Sequence, residues 1–183
     1  MHAFAAAGAA FLLAVLWFDL MFDVQAAGVA GEILPAEILA SMSFYYRRVT
    51  TEARPMNIIV PSVMVLTLGA IAAEVLQHDR PFWVGTVSLL MAASAIALPF
   101  ARTVRNAVAL GKREGSPRLQ TRRARLLFRD HLFCMVAMTV VLKSLAFSKP
   151  EREIQPVASV GRVPMRARPE PPVSNVGQVR EAG

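Results

Sequence analysis

Ionisable side chains inside or beside long apolar runs are the residues that could do chemistry here. Hydrocarbon makes each one costly to keep, so its presence asks for a reason. Asp19 and Asp23 lie at the end of one apolar run and, four apart, share a helix face. Arg102, Arg105 and Asn106 share another face, at spacings of three and four, and Arg129, Asp130 and His131 open a further run. Tyr45, Tyr46, Arg47 and Arg48 form an aromatic and basic string able to cover them. Asp19, Arg102, Asn106, Arg129, Asp130 and His131 are therefore the candidate cluster. In such a set a histidine or carboxylate acts as base and an arginine stabilises an oxyanion. The same residues also suit structural pairing, with arginines snorkelling from span ends. Glu74 and Lys143 sit at similar depth towards the opposite side and are expected to form an ion pair. That pair reads as structural glue or as the mark of a proton path.

Other chemistries find little support. The three histidines are far apart, and there is no Glu-x-x-His or Cys-x-x-Cys, so no haem, metal or other cofactor is expected. Met64, Met91, Met135 and Met138 lack ligand spacing and suit packing. Cys134, the single cysteine, lies in an apolar run and can form no internal disulfide. Gly111-Lys112-Arg113 lacks the rest of a phosphate loop.

The elements that must position these residues follow from composition. The chain is 55% hydrophobic and 18% charged, against roughly 25% charged in a soluble domain. Apolar runs at about 3–22, 56–76, 82–100 and 129–148 are long enough for bilayer-crossing helices. The first is followed by Ala-rich sequence at Gln25-Ala26-Ala27-Gly28, as a signal peptide can be, but lacks the basic residues that should precede one, so retention as a helix is expected. Only Gln77-His78-Asp79-Arg80-Pro81 joins the second and third runs, which predicts an antiparallel hairpin. Between the first two, residues 35–48 place Ile38, Met42 and Tyr45 at helical spacing behind Pro35. That segment is expected to be an interfacial helix, with a fifth span as the alternative. Residues 149–183 hold six prolines and no aromatic residue, the composition of a disordered tail. The expected fold is all-α: a membrane-embedded four-helix bundle with an interfacial helix and a disordered C-terminal tail.

Positive charge orients such a bundle, because Lys and Arg near span ends stay cytoplasmic. Of the 20 Lys and Arg, 12 fall on one side: Arg47, Arg48, Arg54, Arg102, Arg105, Lys112, Arg113, Arg118, Arg122, Arg123, Arg125 and Arg129. A multi-pass protein with both termini outside the cytoplasm is expected. The net charge of +7 sits mainly beside apolar runs, which favours anionic headgroups at the basic loop over nucleic acid. Small residues at Ala6, Ala7, Gly8, Ala9 and Ala10, at Gly69 and Ala73, and at Ala92, Ala93 and Ala97 permit close helix contact.

The order of features resembles the anthrone-oxygenase-like group of small four-helix membrane proteins. The resemblance is carried by Leu34-Pro35-Ala36-Glu37-Ile38-Leu39 through Phe44-Tyr45-Tyr46-Arg47-Arg48, by Arg102-Thr103-Val104-Arg105-Asn106, and by Arg129-Asp130-His131. It implies a cofactor-independent oxygenase acting on an aromatic polyketide. Three functions follow as expectations. One is an accessory or assembly protein that binds other membrane proteins; another is a small membrane enzyme for a lipophilic aromatic substrate. The third is a proton or solute path built by an oligomer.

Overall fold

A computed structural model describes residues 2–77 and 82–147. Helix α1 runs His2–Ala27, α2 Ala36–Arg47, α3 Met56–Leu76, α4 Phe82–Leu98, α5 Val104–Gly111 and α6 Pro117–Phe147. Two wide π turns, Arg48–Glu52 and Pro99–Thr103, extend α2 and join α4 to α5. No strand occurs among the described residues. Three helical stretches, His2–Ala27, Met56–Leu76 and Phe82–Gly111, are long and apolar enough to cross a membrane.

The boundaries of α2, α3 and α4 match the sequence expectation closely, whereas the start of α6 does not. The helix that begins at Phe82 continues through the π turn to Gly111. Pro99 explains the turn: its ring has no N–H and crowds the carbonyl one turn earlier, so the helix widens there. The Ala95 carbonyl is met instead by the Cys134 thiol at 3.4 Å. Helix α6 begins at Pro117, well before the expected start of the fourth run, so most of the expected basic loop is helical. Ser116 precedes it and its hydroxyl accepts from the Leu119 amide at 3.4 Å, while Pro117 is preorganised for a first turn. Most of the expected hairpin connection, 78–81, and the expected tail, 149–183, lie outside the described residues.

Helix α1 packs on α6 and α3, α4 packs on the same two helices, and α2 packs on α5. Two apolar clusters result. The first joins Ala5, Ala9, Leu12, Ile71, Ala92, Ala95, Cys134, Ala137, Met138, Val141 and Leu145. The second joins Ala26, Leu34, Leu39, Met42, Tyr46, Ala107, Leu110, Ala124 and Leu127. Small side chains dominate the first, while large apolar ones face outward: Trp17, Phe18, Leu66, Trp83 and Leu90 are each more than half exposed. This inverts the habit of proteins folded in water.

Close backbone approach sets two of these contacts. A methyl group at Gly8 would lie 2.0 Å from the Thr67 hydroxyl, so α1 and α3 meet there without room for a side chain. At Gly111 it would lie 2.7 Å from the Arg47 amide nitrogen, against main chain that has no rotamer to yield. Gly111→Ala is expected to push α5 off α2 and cost about 1–3 kcal/mol of stability. Thermal unfolding in detergent reads the loss, and an unchanged midpoint would contradict this packing.

Candidate functional site

Between the two apolar clusters lies a layer of polar side chains, of which Asp23, Thr103, Asp130 and His131 are buried. On α1 it falls at Asp19 and Asp23, before Ala26; on α6 at Asp130 and His131, between Leu127 and Cys134. On the α4–α5 path it falls at Arg102 and Thr103, between Ala95 and Ala107. Each element thus passes from one apolar cluster to the other through the same layer.

The layer holds two bonded groups. In the first, Asp23, with no exposed surface, accepts from the Tyr46 hydroxyl at 2.5 Å, and its other oxygen lies 2.6 Å from His131 Nδ1. With Asp23 ionised, Nδ1 carries the proton and donates it. Asp19 accepts from the Tyr45 hydroxyl at 2.7 Å and stands 3.9 Å from His131 Nε2, beyond a direct hydrogen bond. The spacing of four that placed both aspartates on one face presents them side by side to consecutive tyrosines of α2. Rings seal the arrangement. Phe22 stacks on Tyr45 with centroids 3.9 Å apart, Tyr45 meets Tyr46 edge-on at 5.3 Å, and Tyr46 lies nearly parallel to His131 at 6.5 Å. Burial raises both tyrosine hydroxyls above their ordinary pKa, and the neighbouring aspartates raise them further. Both therefore stay protonated, as donors to carboxylates must.

In the second group, Asp130 is almost fully buried and receives three donors. Arg102 grips it with two, Nε at 3.1 Å and a still closer terminal nitrogen, and the Thr103 hydroxyl adds a third at 3.0 Å. The π turn puts two consecutive residues onto one carboxylate. The Arg102 side chain remains about half exposed, so one part of its guanidinium faces outward.

The expected single cluster is thus divided. Asp19 and His131 come together, with Asp23, Tyr45 and Tyr46 completing their surroundings, and Arg102 and Asp130 form a separate pair. Asn106 and Arg129 make no hydrogen bond in either group, and Arg129 is exposed. Of the expected cover, Tyr45 and Tyr46 meet the aspartates, whereas Arg47 and Arg48 are exposed and Arg47 pairs with Glu52. Sequence reading missed Thr103, whose only signal is its place beside Arg102 after a helix-widening proline. The expected Glu74–Lys143 pair does not form. Lys143 is exposed, whereas Glu74 is buried on α3, 3.6 Å from His2 Nδ1. Lys143 has no carboxylate partner among the described residues.

Among the described residues no group of three or more His, Cys, Asp or Glu side chains is arranged to hold a metal ion. Neither of two grooves beside α6 is lined by Asp19, Asp23, Tyr45, Tyr46 or His131. What the first group can do chemically is bind and share protons. What the second can do is fix a guanidinium in place. No protein family, curated protein or solved structure matches the chain.

Proposed function

We propose that this chain is a multi-pass integral membrane protein of the accessory kind, in which the polar layer clamps the helices and the outer surfaces bind other membrane proteins. Large apolar residues facing outward over small ones facing inward suit lipid as the solvent. Helices α1, α3, α4 and α6 then form the membrane-embedded four-helix bundle. Helix α2 lies at the cytoplasmic interface beside the arginines, and both termini lie on the opposite side.

One observation carries the accessory reading: Asp23 is fully buried and both of its oxygens are taken up, one by the Tyr46 hydroxyl and the other by His131 Nδ1, so the acid ties three helices together. A site built for turnover leaves a donor or acceptor facing a space that substrate can fill. The test is complementation of a strain lacking the gene, with membrane abundance measured alongside. His131→Ala is expected to lower abundance several-fold, as a loss of about 1–2 kcal/mol does, and complementation should fall in step. Normal abundance with complementation lost would overturn the accessory reading.

That same outcome defines the second reading, which one distance favours. His131 Nε2 faces Asp19 across 3.9 Å, and both Asp19 and Tyr45 retain partial exposure. A lipophilic aromatic substrate reaching this edge would meet a histidine held by one carboxylate, positioned to take a phenolic proton. Such chemistry is what a resemblance to anthrone-oxygenase-like proteins would imply. Asp19→Asn separates the readings, because it keeps the Tyr45 bond while removing the charge beside His131.

A further inference from the structure

The two grooves along α6 play no part in the aspartate–histidine group, and their linings differ in kind. The larger, about 580 Å³, is walled by Arg118, Arg122, Arg125 and Arg129. The smaller, about 390 Å³, runs between the α4 end and α6 and is lined by Leu98, Arg102, Leu126, Arg129, Asp130 and Phe133. Leu126 and Arg129 belong to both, so the grooves adjoin.

Most of these charges are already engaged. Arg118 pairs with Glu32, and Arg125 donates to the carbonyls of Val29 at 3.2 Å and Gly31 at 2.6 Å. Arg102 is held by Asp130. Arg122 and Arg129 have no carboxylate partner among the described residues. The junction of the grooves therefore carries surplus positive charge, beside a guanidinium that a buried carboxylate has fixed in direction. Beyond it the lining turns apolar. Phe133 is half exposed one turn after Arg129 on the same α6 face, opposite Leu98. Exposed Val136 continues the apolar surface of α6.

A cationic end leading into an apolar trough is the complement of an anionic amphiphile. We infer that the α4–α6 groove is a binding site for an anionic phospholipid. Its phosphate lies between Arg102 and Arg129, and an acyl chain lies along Leu98 and Phe133. Asp130, in the groove lining but 1% exposed, acts as a positioning residue: it holds Arg102 directly, and Thr103 in turn bonds Asp130.

The inference rests on the membrane reading, and the experiment separates the two. Wild-type chain should resist extraction from membranes by alkaline carbonate. A chain that washes off overturns the membrane reading and this site with it. The purified full chain in detergent is then titrated with phosphatidylglycerol, phosphatidylcholine and inorganic phosphate, and bound lipid is counted by native mass spectrometry. Phosphatidylglycerol should bind in preference to phosphatidylcholine. Arg129→Gln, at an exposed residue with no bonded partner among the described residues, should weaken that binding by about tenfold or more. Arg105→Gln, an equal change of charge outside both grooves, should leave it within about twofold. Phe133→Ala should weaken lipid binding while leaving inorganic phosphate unaffected. Equal losses at Arg105 and Arg129 would mean diffuse attraction to the basic face, and would overturn the site. Phosphate competing as well as the lipid, with Phe133→Ala silent, would overturn the acyl-chain assignment and with it the lipid proposal.

Discussion

Replacing Asp23 with alanine is expected to cost about 3–5 kcal/mol of stability, a large share of what holds a small domain folded. Asp23 is the common acceptor of its group: Tyr46 donates to one oxygen, and His131 Nδ1 lies against the other. Alanine leaves both donors buried without an acceptor, at roughly 1–3 kcal/mol each, and opens a gap beside them. Asp23→Asn supplies the contrast. Its carbonyl still accepts from Tyr46, and its amide can donate to His131 once the imidazole shifts tautomer, so about 1–2 kcal/mol is expected. Thermal unfolding of the purified chain in detergent measures both. Equal losses for alanine and asparagine would show that the buried bonds contribute nothing and that only the volume of the side chain matters.

Asp130→Ala carries the second large effect, for a different reason. Its partner Arg102 is half exposed and can turn to water when released, which limits the penalty. Thr103 is buried, and its remaining contact is the Leu98 carbonyl at 3.4 Å, near the limit of a useful bond. A loss of roughly 2–3 kcal/mol is expected, most of it from Thr103 and the missing side chain. The pair is tested best as a cycle. Arg102→Gln should cost about 1 kcal/mol in the wild-type background and almost nothing once Asp130 is alanine. Additive losses would show that the two residues do not act together.

The helices were legible in the sequence because long apolar runs announce themselves by length and composition. Met56–Leu76 could be read directly, and Pro35 marked the start of α2 to within a residue. Helix α6 was not legible at its start. Its first turns carry Arg118, Arg122, Arg123 and Arg125, and charge at that density reads as loop. The helical signal was nonetheless there: Thr121, Ala124 and Leu127 recur every three residues and are the buried positions. They are too few to stand out against four arginines. The site was half legible. A spacing of four paired Asp19 with Asp23, and a string of aromatic residues pointed to a cover. Which acid would meet which base depended on how α1, α2 and α6 approach one another, and no local pattern encodes that. The Glu74–Lys143 expectation failed on the same ground, since matching depth along two helices says nothing about matching faces.

The polar layer also bears on how the helices find their places along one another. The alanine seam of α1 and α4 presents nearly the same small surface at successive turns, as Ala5, Ala9, Ala92 and Ala95 do here. Such a seam would accept a neighbour slipped by one turn, about 5.4 Å, at little loss of contact. The carboxylates admit no slip. Asp23 meets Tyr46 and His131 at one height only, and Asp130 meets Arg102 and Thr103 at one height only. Small residues make close approach possible anywhere along their length. The buried acids select the single alignment at which it occurs.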